Sequence, residues 1–303
     1  MRIALTGATG FLGRHIADRL AGAGHQLRCG FRAGSDRDGF ADAAASIEWV
    51  NFDLADPAGF VPFCKGADAV IHGALFRPRG KGFRAAAGDA FEEFVHKNLL
   101  GSISLLAAAR CSDVPRFVFI SSCAVHEVIL PDRALDEAHP LWPRTHYGAH
   151  KAAIEKFIHS YGLGDGWAVC ALRPTGIYGL AHPPSQSRWF DIVRRVVAGE
   201  PFGSDAGGKE VHAADVARAT EILLAAPAEK ITGQAFNCYD LYVAEQHVAE
   251  LAREISGSAA DVSGANKGPR HQIDTTRIRS LGMQFGGEPV LRQTIARLVD
   301  AAR

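Results

Sequence analysis

Tyr147 and Lys151 stand four residues apart, Ser122 lies upstream at the close of an apolar run, and Gly7, Gly10 and Gly13 open the chain. A tyrosine in water ionises near pH ~10 and is a poor base at neutrality. A cation one helical turn away favours the phenolate. Positions i and i+4 share a helix face, so Lys151 is placed to serve Tyr147. A serine just past a strand sits at the edge where α/β sheets bind ligands, and its hydroxyl can orient a reacting oxygen. Tyr-x-x-x-Lys alone is a weak signal. Combined with a glycine turn and a strand ending in Ser121-Ser122, it reads as a proton-transfer site beside a bound nucleotide.

The elements that must position these groups alternate. Strands are expected at Arg2 to Thr6, Gln26 to Phe31, Ile47 to Phe52, Ala69 to His72, Arg116 to Ser121 and Trp167 to Leu172. Helices are expected from Phe11 to Ala23, with Leu12, Ile16 and Leu20 at helical spacing, from about Asp89 to Arg110, and from about Thr145 to Tyr161. Such alternation predicts an α/β fold, a doubly wound parallel sheet with right-handed crossovers. Beyond Arg173-Pro174 the pattern loosens into helices near Phe190 to Ala198, Ala213 to Ala226, Ala244 to Ile255 and Val290 to Ala301, with one short strand near Ala235 to Cys238. We therefore expect a dinucleotide-binding domain over residues 1–174. Residues 175–303 are expected to form mostly a smaller substrate-binding lobe over the sheet's carboxyl end, with room for segments that return to the first domain.

Thr6-Gly7-Ala8-Thr9-Gly10-Phe11-Leu12-Gly13 follows a strand and opens a helix. Glycines there permit a tight turn, close backbone approach to a pyrophosphate and close helix–strand packing, while the helix N-terminus offers N–H donors and positive potential. The second strand ends at Phe31-Arg32, where an Asp or Glu would favour NAD. Arg32, with Arg37 nearby, instead points to a 2′-phosphate and hence to NADP as the preferred cofactor, with NAD the alternative.

The 303 residues carry 33 basic and 33 acidic side chains, so no global field recruits nucleic acid or an anionic membrane. Hydrophobic content of 47% and charged content of 22% is an ordinary soluble balance. No apolar stretch reaches membrane-spanning length, and Met1 to Leu5 is no leader sequence. The six cysteines contain no Cys-x-x-Cys pair, so buried free thiols in a reducing cytoplasm are expected, and no metal.

With these motifs in place, the chain resembles the extended short-chain dehydrogenase/reductase family, the NAD(P)-dependent epimerase/dehydratase group, over essentially its whole length. Gly7, Gly10 and Gly13 match its glycine turn, Asp53-Leu54 its adenine-contacting segment, and His72-Gly73-Ala74 the segment lining the cofactor. Asn98 to Ser102, Arg173-Pro174 through Gly179, and Val211 to Ala217 match further family stretches. The resemblance implies a Rossmann-type fold and catalytic roles for Ser122, Tyr147 and Lys151. It implies a structural or water-relaying role for Asn98, and a homodimer formed through the helices around 89–110 and 145–161. Pro174 joins Thr9, Phe11, Leu12 and the segments above as expected cofactor neighbours.

Departures from the family pattern narrow the expectation. His126 replaces a tyrosine four residues after Ser122, and Ser121 is expected to satisfy backbone groups. Cys123-Ala124 stand where dehydratases place an Asp-Glu pair, so elimination lacks its proton carriers. Gly208 stands where nucleotide-sugar members often carry an arginine, with Arg188, Arg194 and Lys209 as substitutes. The stretch with Arg77, Arg79, Lys81 and Arg84 is basic and glycine-rich and reads first as a solvated loop, second as an anion contact. His150 is expected off the active face, His146 toward the cleft, and Tyr178 beside the nicotinamide end. These points favour an NADP-preferring oxidoreductase that interconverts a secondary alcohol and a ketone on a small polar, sugar-like or acidic substrate. A sugar or nucleotide-sugar epimerase and a non-catalytic NADP sensor are the alternatives.

Overall fold

The computed structural model describes residues 1–40, 44–77 and 90–303. Arg79, Lys81, Arg84 and the expected helix start at Asp89 lie outside the described residues. The first half builds strands β1 (Arg2–Thr6), β2 (Gln26–Phe31), β3 (Ile47–Asn51), β4 (Ala69–His72), β5 (Arg116–Ile120) and β6 (Ala168–Pro174). Between them lie helices α1 (Phe11–Gly22), α2 (Phe60–Cys64), α3 (Phe91–Phe94), α4 (Gly101–Cys111) and α5 (His146–His159).

A seventh strand, Gln234–Cys238, pairs parallel with β6. The sheet order is then Gln234–Cys238, β6, β5, β4, β1, β2, β3, a Rossmann-type sheet in which every pairing is parallel. Strand order reverses at the β1–β4 contact, the switch point where such sheets receive ligands beyond their carboxyl ends. The short strand expected near Ala235 to Cys238 is thus a segment that returns to the large sheet. Its burial pattern explains why: Ala235 to Cys238 are all buried, as a strand covered on both faces requires.

The apolar runs of the strands are what the sheet buries. Ile3, Ala4 and Leu5 in β1, Ala69 to Ile71 in β4 and Phe117 to Phe119 in β5 are almost wholly removed from water. Phe52, Phe60, Phe63, Leu105, Leu106, Ile154, Ile158 and Trp167 close one core around them. Each large side chain so buried contributes roughly 1.5–3 kcal/mol of transfer free energy.

Two helices depart from the regular period. Between α3 and α4 the residues Val95–Leu100 form a π-turn, and Ser160–Gly164 form another after α5. Helical periodicity in the sequence does not register one extra residue in a turn, and π-turns occur often at functional sites.

The chain divides into two compact units. The first comprises residues 1–174, 217–238 and 273–283, the second 175–216, 239–272 and 284–303. The second unit has its own core, in which Val193 and Val196 meet Val248, Leu251, Leu291, Ile295 and Leu298 from three helices. It also holds a three-stranded sheet of Leu241–Ala244, Gly207–His212 and Gly176–Tyr178, which the loosened sequence pattern did not announce. Gly207, Gly208 and Gly176 depress strand propensity there.

Candidate active site

Ser122 follows β5 directly and holds an extended backbone, φ −163° and ψ 149°. Its Oγ accepts the N–H of Ala124 at 3.1 Å, which caps the short turn Cys123–Val125. Thr145 caps α5 in the same manner, its Oγ1 accepting from Gly148 N at 3.1 Å, and Glu127 accepts from the Arg144 N–H and the Thr145 hydroxyl. These caps aim the first turn of α5 at the serine, and a hydrogen bond joins the Tyr147 and Ser122 side chains. Lys151 lies one turn further, 4% exposed, with Nζ donating to the Ile120 carbonyl at 2.8 Å and standing 4.5 Å from the Phe119 ring centre.

Loss of water around the phenol raises Tyr147 above its ordinary value, the Ser122 hydroxyl lowers it and the Cys123 sulfur raises it. Burial lowers Lys151 to about 7, with Glu155 acting in the opposite sense. The expected lowering of the tyrosine by the lysine is therefore not its state in this structure. Desolvation is the largest influence on the phenol, and Lys151 directs its amine at the Ile120 carbonyl.

Beneath Ser122 lies a buried network that sequence reasoning missed. Glu155, wholly buried, accepts from Arg173 through Nε at 3.0 and 3.1 Å and through Nη2 at 2.6 Å. Ser121 Oγ donates to the same carboxylate at 2.5 Å, so Ser121 does not serve the backbone groups expected of it. Cys123 Sγ donates to the Arg173 carbonyl at 3.0 Å, which makes it a packed residue. Arg173 Nη1 donates to His126 Nε2 and to the Glu137 carbonyl, both at 3.1 Å. His126, held at about 3 by burial and then by Arg173, stays neutral and accepts from the arginine. The available signal was Glu155 four residues after Lys151, on the same helix face.

His150 is the second correction. It is buried, with its ring centre 5.4 Å from that of Tyr147 and 5.1 Å from that of Phe94, so it packs on Tyr147. His146 is exposed and rests 4.7 Å from Phe91. Tyr178 belongs to the second unit, buried between Trp189 and His212.

The glycine turn has the shape a pyrophosphate needs. Gly7 has φ +78°, and a Cβ there would lie 2.8 Å from the Gly73 carbonyl and the Ala74 nitrogen. A Cβ on Gly13 would stand 2.0 Å from the Gly7 oxygen. Gly10 starts α1 without a side-chain cap, and no acidic residue occupies the first turn, so its N–H donors face no competing carboxylate of the helix. Thr9, Phe11 and Leu12 around this turn are partly exposed, as is Ala74 opposite it, while Pro174 closes β6 buried.

Of the remaining expected cofactor neighbours, Asp53 accepts Ala55 N–H at 2.9 Å and is partly exposed. The Leu54 side chain is committed to the core. His72 is 1% exposed, with both ring nitrogens bonded inside the protein, so its side chain is out of reach of a ligand. Asn98 sits in the π-turn, its Oδ1 accepting from Phe76 N at 2.7 Å and its Nδ2 donating to Phe76 O at 2.9 Å. Arg32 is exposed at the end of β2, and Arg37 stacks 4.5 Å above the Phe31 ring. The loop bearing both is tied to α1 by Arg14, which bonds the Asp36 and Asp38 carbonyls. Among the described residues no group of His, Cys, Asp and Glu is arranged to hold a metal.

Fold and site together define an α/β protein of Rossmann type with a Ser-Tyr-Lys constellation. Residues 3–238 match the NAD dependent epimerase/dehydratase family, and the chain belongs to it. It is 34% identical over 162 residues to uronate dehydrogenase of Pseudomonas putida, covering 53% of this chain and 55% of that protein. It is 28% identical over 282 residues to UDP-glucose 4-epimerase of Corynebacterium glutamicum, covering 85% and 81%. The aligned stretch spans about half the length of the first curated relatives, 55% and 51% for the uronate dehydrogenase and a 3 beta-hydroxysteroid dehydrogenase/Delta 5-->4-isomerase of Mycobacterium tuberculosis. The structure of Thermus thermophilus UDP-glucose 4-epimerase in complex with NAD superposes with a TM-score of 0.77 at 22% identity, covering 100% of this chain and 99% of that one. At that identity the likeness establishes the fold.

Proposed function

We propose that the protein is an NADP-preferring oxidoreductase that interconverts a secondary alcohol and a ketone on a small acidic, sugar-like substrate. The observation that carries this reading is the hydrogen-bonded Ser122–Tyr147 pair with Lys151 one turn on, beside a glycine turn shaped for a pyrophosphate. The chemistry a nicotinamide dinucleotide supplies when bound is acceptance of a hydride from the substrate carbon, or its return. In the oxidative direction the substrate's C–H and O–H bonds break, the electron pair of the former leaves with the hydride, and a C=O bond forms. The hydroxyl proton passes to the Tyr147 oxygen, while Ser122 holds the substrate oxygen in line. To accept that proton Tyr147 must be a phenolate; burial raises the phenol, so the reading requires Lys151, itself lowered to about 7, to carry its proton when the phenolate forms. Asn98 holds the backbone at Phe76 and serves as a positioning residue.

Three further points support the finer reading. Exposed Arg32 and Arg37 suit a 2′-phosphate. Cys123-Ala124 lack the proton carriers of elimination. In the second unit Arg188 is held by buried Glu210 at 2.6 Å and lies 3.6 Å from where a Cβ on Gly208 would be, with its side chain 45% exposed. The similarity to uronate dehydrogenase supports an acidic, sugar-like substrate. No helix of the described residues is long and apolar enough to cross a membrane. All six cysteines are free, which fits a reducing cytoplasm. A homodimer would cover Phe91, Leu100 and Phe157, which are exposed along the helices around 91–111 and 146–159.

The epimerase reading shares all these residues and is favoured by the length of the match to the Corynebacterium protein. Net turnover separates the two. Incubated with sugar acids and polyols, the protein should reduce NADP in proportion to ketone formed. Interconversion of epimers with no net reduction would transfer the assignment to an epimerase.

A further inference from the structure

Below the glycine turn runs a chain of buried hydrogen bonds whose polarity can be worked out atom by atom. Ser102 Oγ donates to the Asn98 carbonyl at 2.5 Å, which uses its only proton. The 2.8 Å contact between Ser102 Oγ and His72 Nε2 must then be donated by the ring. With Nε2 protonated in a neutral imidazole, Nδ1 accepts, and the 2.7 Å contact with Thr6 Oγ1 is donated by the threonine. Thr6 Oγ1 in turn accepts the Ala74 N–H at 3.2 Å. From the Ala74 N–H to the Asn98 carbonyl, Thr6, His72 and Ser102 each accept one hydrogen bond and donate the next in the same direction. Asn98 then returns to the same segment through its two bonds with Phe76.

A second proton on His72 would break this order. Thr6 Oγ1 would face two donors, and its own hydrogen would lose the ring nitrogen it now uses. Burial, reinforced by Lys151, holds the imidazole at about 3, consistent with a permanently neutral ring.

We propose that His72, locked as the neutral Nε2–H form, is a positioning residue for dinucleotide binding: it ties the segment Gly73–Phe76, on which Gly7 of the glycine turn packs, to the π-turn that carries Asn98. The proposal rests on the dinucleotide reading of the glycine turn. It adds that Thr6 and Ser102, on opposite sides of the imidazole, act as one unit through it.

The test is a double-mutant cycle read in dinucleotide affinity. Fluorescence titration with NADPH and NADH gives Kd for the parent, Thr6→Val, Ser102→Ala and the pair, with thermal melts run alongside. Each single change should raise Kd by about tenfold, the size expected for one buried polar partner lost. The double change should raise it by about the same factor and not by the product, because either loss already breaks the series. His72→Gln, whose amide can both accept and donate, should bind more tightly than His72→Leu. Nitrogen NMR of the ring should show protonated Nε2, unprotonated Nδ1 and no titration across neutrality. Multiplying losses, equal binding by the glutamine and leucine variants, or the Nδ1–H form would each overturn the role given to His72. If the unaltered protein binds neither dinucleotide, the dinucleotide reading falls, and this role with it. Normal binding with multiplying losses removes only the role.

Discussion

Glu155→Gln isolates the buried pair beneath the serine turn. The carboxylate accepts three contacts from Arg173 and one from Ser121, and neither charged side chain is more than 1% exposed. An amide retains one acceptor but no charge, so the guanidinium is left buried without an anion. Removing one member of such a pair costs about 3–5 kcal/mol, because the other charge stays desolvated. For a unit of this size that corresponds to a fall in Tm of roughly 6–20 °C. Urea unfolding followed by tryptophan fluorescence reads the loss directly, since Trp167 lies in the core of the same unit. The double variant Glu155→Leu with Arg173→Met removes both charges and should recover at least half of it. A single variant within about 1 kcal/mol of the parent, or a double variant no more stable than the single, would refute the claim that desolvated charge governs this network.

Other consequences follow from the same geometry. Lys151→Met should abolish turnover yet stabilise the free protein below neutrality. The lysine falls from its ordinary 10.5 to about 7 on folding, so the unfolded chain holds the extra proton between those values and the parent gains stability as pH rises through them. The variant's advantage should therefore shrink from about pH 7 towards pH 10.5, and an advantage that grows with pH would contradict the burial argument. Gly13→Ala should eliminate measurable dinucleotide binding, because its Cβ would fall 2.0 Å from the Gly7 oxygen; titration showing parental affinity would reject the turn as the pyrophosphate site. Arg32→Ala should lower the preference for NADPH over NADH by about tenfold, the loss of one charge-assisted phosphate contact, and an unchanged ratio would remove Arg32 from the cofactor site.

Much of the sheet was legible because β1, β4, β5 and β6 are continuous apolar runs, the mark of strands buried on both faces. The Tyr147, Lys151 and Ser122 placement was legible because i,i+4 spacing and a strand end are local properties. What sequence alone did not yield is non-local. Arg173 and Glu155 are 18 residues apart, and nothing in their neighbourhoods marks them as partners. The roles of Ser121 and His126 depend on that pair. His150 was assigned to the wrong side because it lies three residues from Tyr147, on the flank of the helix that meets Phe94. The π-turn at Asn98 left no trace in the apolar periodicity. The strand Gln234–Cys238 was legible as a strand near Ala235 to Cys238, but not its pairing with β6, which is distant in sequence.

The central claim is that Tyr147 moves the substrate proton beside a bound dinucleotide. Its most direct test is Tyr147→Phe, with NADPH affinity and kcat measured on the same preparation. Retained affinity with kcat lowered by about 10²–10⁴ is the predicted result, the range for loss of a positioned acid–base group. Turnover within a few-fold of the parent, with the fold and the cofactor intact, would contradict it.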